Sequence, residues 1–355
     1  MRVAVVGGGI NGVMSAWALA KRGCEVTVFE RGDLMGATSS ASTKLLHGGI
    51  RYLEQGQFGL VREALQERAW WIQQAPHLAH PIEILMPLYA SSRRGKWAMR
   101  LGLALYDWLC GSRRLGPTRW LATGEALRLV PGLKSEGLKG AYAFFDGQMD
   151  DRALGCWAAE QAKAKGASLR PHQLVQSVAT QGELTTADGT TRYDRIVNAA
   201  GPWAGKLLHY SGIPSRYELD LVRGSHLLVG RPLAQGVLLQ VPNSTRIFFV
   251  LPYQGRTLIG TTEVRQSLDE SIRCSEDEQN ALTEMYNTYF HPPITPADIQ
   301  ETFSGVRPLL KSHANPTRAT REYALERVGR LVTIFGGKWT TSRALGEKTA
   351  TLTLQ

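Results

Sequence analysis

The chain has 355 residues, 43% hydrophobic and 20% charged, which is an ordinary globular composition with enough length for two domains. Its formal net charge of +10 suits an anionic small molecule, a membrane surface or nucleic acid, but the basic residues fall in short doublets such as Arg93-Arg94 and Arg113-Arg114 without interleaved aromatics, so nucleic acid is set aside. Cys24, Cys110, Cys156 and Cys274 are too widely spaced for a zinc site or a disulfide framework, so no metal is expected and a reducing compartment fits.

At the N-terminus, residues 3–6 form a continuous apolar run, the pattern of a buried parallel strand. Gly7-Gly8-Gly9 and Asn11-Gly12 then interrupt the stretch, which a signal peptide would keep continuous. No apolar run elsewhere approaches the roughly 20 residues of a membrane span. The expected location is the cytoplasm, with attachment to the inner face of its membrane as the variant. Residues 11–22 read as a helix that Gly23 ends, and 25–29 as a second strand.

Gly7-x-Gly9-x-x-Gly12 thus lies between strand and helix, and Glu30 follows the second strand. Gly7 permits the tight turn, Gly9 a close approach of backbone to a pyrophosphate, and Gly12 the packing of helix on strand. The helix N-terminus offers N–H groups and partial positive charge to phosphates, and Glu30 would bind ribose hydroxyls. With all four parts in register, a dinucleotide site is the reading, although the motif does not separate NAD from FAD.

Residues 31–44 are loop-like, and 58–74 form an amphipathic helix. Residues 95–109 are apolar at helical spacing, with Trp97 and Trp108 at the ends. That suits a helix lying on a membrane and, equally, one packed on the core. Asp150 or Asp151 caps a helix that Gly166 stops. Asp188-Gly189 marks a hairpin between 183–187 and 191–197. Strands are expected at 219–229, 236–240, 246–251 and 257–260, a helix at 276–289, more strand up to 310, a strand at 331–335, and a helix from Thr340. The fold class is α/β: a Rossmann-like dinucleotide-binding domain assembled from discontinuous segments (1–80, 140–215 and 325–355). An inserted, mainly antiparallel β substrate domain takes up 81–139 and 216–324.

The segment Thr38-Ser39-Ser40-Ala41-Ser42-Thr43-Lys44-Leu45-Leu46-His47-Gly48-Gly49-Ile50-Arg51-Tyr52 narrows the choice of cofactor, because small hydroxyl residues let backbone crowd an extended ligand. Together with Gly7 to Gly12, Val197-Asn198-Ala199-Ala200-Gly201-Pro202-Trp203, Arg223-Gly224-Ser225-His226, Ile259-Gly260-Thr261-Thr262, Phe303-Ser304-Gly305-Val306-Arg307-Pro308-Leu309, Thr320-Arg321-Glu322-Tyr323 and Phe335-Gly336-Gly337-Lys338, it resembles the FAD-dependent glycerol-3-phosphate dehydrogenases, within the amino-acid-oxidase-like flavoproteins. The order of the motifs matches along almost the whole chain.

The resemblance implies that FAD is bound by Gly7, Gly9, Ile10, Asn11, Gly12, Glu30, Arg31, Thr38, Ser39, Ser40, Ser42, Lys44, His47, Gly48, Ala200, Gly201 and Trp203. It implies Gly337, Lys338 and Thr340 against the flavin ring. It implies substrate at Arg51, Tyr52, Arg307, Arg321 and Lys338, a set of guanidinium forks and an ammonium suited to a phosphate. The implied reaction is oxidation of sn-glycerol 3-phosphate to dihydroxyacetone phosphate by hydride transfer to flavin, with electrons passed to quinone by a peripheral membrane enzyme. Arg307 would assist, and His47 and His226 are the two candidate bases, since imidazole titrates near neutrality; the residues do not choose between them. The alternatives are another small anionic hydroxy or amino compound, with quinone or oxygen as acceptor, and a non-catalytic dinucleotide-binding protein. The family's helical C-terminal domain has no counterpart before Gln355, and Ser342 stands where the family usually has Tyr, so a short form or a fragment is expected.

Overall fold

The computed structural model describes residues 1–242, 244, 246–311 and 323–355, with the backbone alone at 51, 54 and 55. The apolar strand Arg2–Val6 lies inside a six-stranded sheet among the described residues, in the order Tyr323–Val328, Leu331–Gly336, Arg195–Asn198, Arg2–Val6, Glu25–Phe29, Ser168–Arg170. All neighbours are parallel except the hairpin of the first two. N-terminal, middle and C-terminal segments therefore build one nucleotide-binding sheet. Helices Ile10–Ala20, Asp151–Ala164 and Ser342–Leu354 bury Val3, Val5, Val26, Val28 and Ile334 on one face. The first and last helices touch at Gly346, where a methyl group would sit 2.6 Å from the Met14 backbone.

A second sheet of ten strands among the described residues runs Val264–Arg265, Leu219–Val229, Arg256–Gly260, Ile247–Tyr253, Gly236–Gln240, Ala79–Tyr89, Leu138–Met149, Leu45–Leu46; Ile299–Leu310 and Arg119–Leu121 pair at its flanks. It is antiparallel apart from the contact of Gly236–Gln240 with Ala79–Tyr89. Helix Glu276–Tyr289 covers one face through Leu282 and Tyr286. Helices Phe58–Gln74 and Lys96–Cys110 cover the other through Val61, Leu65, Leu103 and Tyr106.

Three expectations change. Residues 140–149, grouped above with the nucleotide domain, pair with the antiparallel sheet, because Leu138–Met149 runs alongside Ala79–Tyr89 for its full length. The run 191–197 splits: Gly189–Arg192 completes the hairpin with Glu183–Thr186, while Arg195–Asn198 joins the parallel sheet. Asp194 makes the break, with its carboxylate accepting from Arg2 N at 2.7 Å. The last helix begins at Ser342 rather than Thr340, because Gly336 and Gly337 turn the chain with φ of +80° and +99° first.

Candidate FAD and substrate site

A cavity of about 640 Å³ opens between the two sheets and is lined by residues of both. One end is bare backbone. Gly7 turns with φ +109°, and a methyl group on it would lie 2.5 Å from the Ala199 carbonyl oxygen; one on Gly12 would strike the Gly7 carbonyl oxygen. Gly9 caps the helix without a side-chain hydrogen bond, so the wall formed by Gly7, Gly9, Ile10 and Asn11 is a surface that side chains would fill. The buried Asn11 Oδ1 beside it has no hydrogen-bond partner among the described residues. Such a cradle fits a pyrophosphate, with Gly12 behind it as helix packing.

Glu30 lines the same end, fixed by Gly8 N to its Oε2 at 2.7 Å and Gly32 N to its Oε1 at 2.9 Å. Arg31 stacks its guanidinium 3.8 Å from the Trp203 ring, and Ala200, Gly201 and Trp203 continue the wall. Gln173, Leu174 and Val175 complete this end and were not expected there. They lie in an irregular segment whose placement depends on Gln173 N donating to the Glu30 carbonyl at 2.7 Å, a contact with no local sequence signature.

The hydroxyl-rich loop joins both sheets. Thr38 Oγ1 donates to the Val306 carbonyl at 2.8 Å, and Ser39 Oγ accepts from Ile10 N at 2.9 Å. Ser42 lines the cavity and donates its N–H and hydroxyl to Asp151 Oδ2. Ser40 and Lys44 stand behind the wall: Lys44 Nζ donates to the Ser40 carbonyl and to Asp151 Oδ1, both at 2.7 Å. Asp150, not Asp151, caps the helix, leaving Asp151 as the buried partner of Lys44. Gly48 also lies behind the wall, its N–H donated to the Tyr106 hydroxyl at 2.9 Å. That hydroxyl donates on to Asp146 Oδ2 at 3.0 Å, and Arg68 pairs with Asp146 Oδ1 at 2.8 Å.

The opposite end is cationic. Lys338 sits 3.9 Å above the Tyr52 ring, and both line the cavity with Gly337 and Thr340. The Thr340 hydroxyl accepts from His47 N at 3.3 Å, which puts His47 on the wall beside them. Arg307 and His226 come from the neighbouring strands Ile299–Leu310 and Leu219–Val229, whose register pairs Arg307 with Val222 and His226 with Phe303. Gly224 leaves the space that the Arg307 guanidinium occupies. Arg51 lies in the turn Ile50–Gln55, with its side chain outside the description, and Arg321 lies outside the described residues.

His226 is only 1% exposed, stacks on Phe303 at 4.7 Å and meets Thr43 Oγ1 at Nε2, 3.0 Å away. Its Nδ1 has no hydrogen-bond partner among the described residues. Burial first, then the charges of Arg307 and Lys44, hold its pKa well below the ordinary imidazole value, so the ring is neutral. Behind it, Glu278 accepts from Ser225 Oγ at 2.8 Å and Thr262 Oγ1 at 2.6 Å and pairs with Arg223 at 2.8 Å. Burial pushes this carboxyl up, but the hydrogen bonds from Thr262, Ser275, Ser225 and Arg223 outweigh it and bring it down to about 2. The network braces the strand carrying His226. Sequence reasoning missed it because its members come from three distant elements.

A dinucleotide cradle that the C-terminal glycines meet at Asn11, whose Nδ2 donates to the Gly336 carbonyl at 3.3 Å, is the site of a flavoprotein. The chain belongs to the FAD dependent oxidoreductase family, whose model matches residues 2–352, and FAD is its cofactor. Within that family it is 37% identical to the glycerol-3-phosphate dehydrogenase of Pseudomonas tolaasii, over 97% of this chain and 70% of the relative. It is 38% identical to the D-erythritol 1-phosphate dehydrogenase of Brucella abortus, over 97% of this chain and 72% of that one. The solved glycerol-3-phosphate dehydrogenase of Bacillus halodurans, complexed with FAD, matches with a TM-score of 0.81 at 26% identity, covering 100% of this chain and 64% of the other. The chain thus spans between 64% and 72% of the length of these proteins.

Proposed function

We propose that the enzyme oxidises the secondary alcohol of a small polyol phosphate, sn-glycerol 3-phosphate first among them, and that its electrons pass to a quinone. The observation that carries this reading is that Arg307 and Lys338 face the same cavity as the dinucleotide cradle. Guanidinium and ammonium together suit a phosphate. The relative named for erythritol phosphate, at 38% identity against 37% for the glycerol phosphate one, makes the substrate class the proposal rather than one carbon count.

When bound, FAD supplies the hydride acceptor. The glycines 7, 9 and 12 with Glu30, Ser39, Ala200 and Gly201 would hold its nucleotide half, and Gly337, Lys338 and Thr340 its ring. Arg307 and Lys338, with Arg51 and Arg321 as the further members implied by the family, would hold the phosphate, and Tyr52 would wall the substrate in. His226 is the proposed proton acceptor for the substrate hydroxyl. Its neutral ring can take a proton, and a phosphate dianion beside Arg307 would offset the positive charge that opposes protonation. His47, whose backbone is held by Thr340, would instead shape the wall.

The deciding experiment is an anaerobic titration followed by the visible flavin spectrum. Bleaching by glycerol 3-phosphate but not by glycerol is expected. Losing one charge-assisted contact in Arg307→Ala should raise the half-saturating concentration by about tenfold to a hundredfold. Bleaching only by unphosphorylated hydroxy or amino acids would overturn the phosphate reading. No described helix is long and apolar enough to cross a membrane. On helix Lys96–Cys110, however, Trp97, Leu101 and Trp108 are 74%, 73% and 75% exposed, which supports a peripheral lipid contact. Trp97→Glu with Trp108→Glu should abolish co-sedimentation with anionic phospholipid vesicles; unchanged sedimentation would refute it.

A further inference from the structure

The ion pairs at the cationic end of the cavity are unequal. Glu263 lines the cavity and lies between two arginines, with Oε2 3.3 Å from Arg246 Nε and Oε1 3.9 Å from Arg307 Nη1. Arg307 is engaged from another side by a neutral group, Nη2 donating to Thr261 Oγ1 at 2.8 Å. Arg246 also donates from Nη2 to the Thr261 carbonyl at 3.3 Å, which ties it to the same short segment. The three charged side chains are 30%, 22% and 25% exposed, so solvent screens them only in part.

A carboxylate closed onto Arg307 would occupy the donors that an incoming anion needs, and the competition would be direct because both ligands want the same guanidinium fork. The shorter pairing of Glu263 goes to Arg246. We propose that Arg246 is a positioning residue for the anion site: by holding Glu263 it keeps that carboxylate from closing on Arg307, so that Arg307 receives the substrate phosphate instead. The inference rests on the reading of Arg307 as the phosphate ligand and extends it to a residue outside the cavity lining.

Inorganic phosphate is the probe, titrated into the FAD-loaded enzyme and followed by perturbation of the flavin absorption and, separately, by competition with substrate. Arg246→Ala should weaken phosphate binding about tenfold, with the loss falling on KM rather than kcat. Arg246→Lys, which keeps the charge beside Glu263, should recover most of it. Glu263→Gln should bind phosphate at least as tightly as wild type. The double variant, with Arg246→Ala and Glu263→Gln together, should bind like Glu263→Gln, because the competitor is gone. A double variant as weak as Arg246→Ala would overturn the inference and make Arg246 a direct ligand or a structural prop. An unaffected Arg246→Ala would overturn it too, while phosphate binding lost in Arg307→Ala would leave the underlying reading standing. If wild type and Arg307→Ala both ignore phosphate, that reading falls and the inference with it.

Discussion

Removing the Asp151 carboxylate is a severe test of how the cofactor loop is held. Lys44 Nζ lies 2.7 Å from Asp151 Oδ1, with side-chain exposures of 7% and 0%, so neither charge has water to fall back on. Asp151 Oδ2 also accepts Ser42 N at 3.0 Å and Ser42 Oγ at 2.7 Å. Asp151→Ala would leave a buried ammonium with only the Ser40 carbonyl and the ring faces of Phe303 and Tyr253 among the described residues, and would take the acceptor from the half-buried Ser42 amide. Breaking a buried pair from one side costs about 3–5 kcal/mol. Removing both charges, with Lys44→Met added to Asp151→Ala, leaves mainly the Ser42 amide without its acceptor, at about 1–3 kcal/mol. The double variant should therefore be more stable than Asp151→Ala, the reverse of additivity. Urea unfolding of the FAD-free protein, followed by tryptophan fluorescence, reads all three. A loss below about 1 kcal/mol in Asp151→Ala, or a double variant no better than the single, would show that the pair is not the anchor its burial implies.

Other expectations follow from the same contacts. Gly12→Ala should abolish FAD retention after gel filtration, because the added methyl group meets the Gly7 carbonyl oxygen, and a normally loaded variant would contradict the cradle. His226 has its folded pKa depressed, so the unfolded chain takes up a proton below about 6.5 that the folded one refuses. Its contribution is thus full above that pH and is lost as pH falls, with a slope of up to about 1.4 kcal/mol per pH unit. His226→Gln should flatten the stability profile on the acid side by that amount, and an unchanged profile would place the titration elsewhere.

The nucleotide half was legible because its demands are local. Gly7, Gly9 and Gly12 are required by backbone approach within six residues, and the strand and helix that flank them lie next to them in sequence. The cationic end was legible in part: Arg307, Lys338, Tyr52 and His226 stand in recognisable motifs and meet on one cavity. Arg246 and Glu263 were not legible, because they face each other just beyond the paired ends of one hairpin, Ile247–Tyr253 with Arg256–Gly260, whose register the sequence does not announce, and neither residue is distinctive in its own segment. Lys44 stands within a motif that the resemblance assigns to the cofactor, and the structure shows it paired with Asp151. Its partner Asp151 lies more than a hundred residues away, where the local pattern says only helix cap. The sheet to which Leu138–Met149 belongs was hidden for the same reason, since an apolar strand does not say which neighbour it will pair with.

Tyr106 makes helix Lys96–Cys110 more than a cover for the sheet. Its inward hydroxyl is joined to Asp146 and receives the Gly48 N–H, one residue from His47 on the cavity wall, while the outward side of the same helix carries the exposed tryptophans. The helix thus meets the loop at one hydroxyl, shared by Asp146 and the Gly48 N–H. Where binding at an outer face and binding in a cavity are coupled, the coupling is reciprocal. Any factor by which a contact on the tryptophan face changes affinity in the cavity is the factor by which a ligand in the cavity changes that contact.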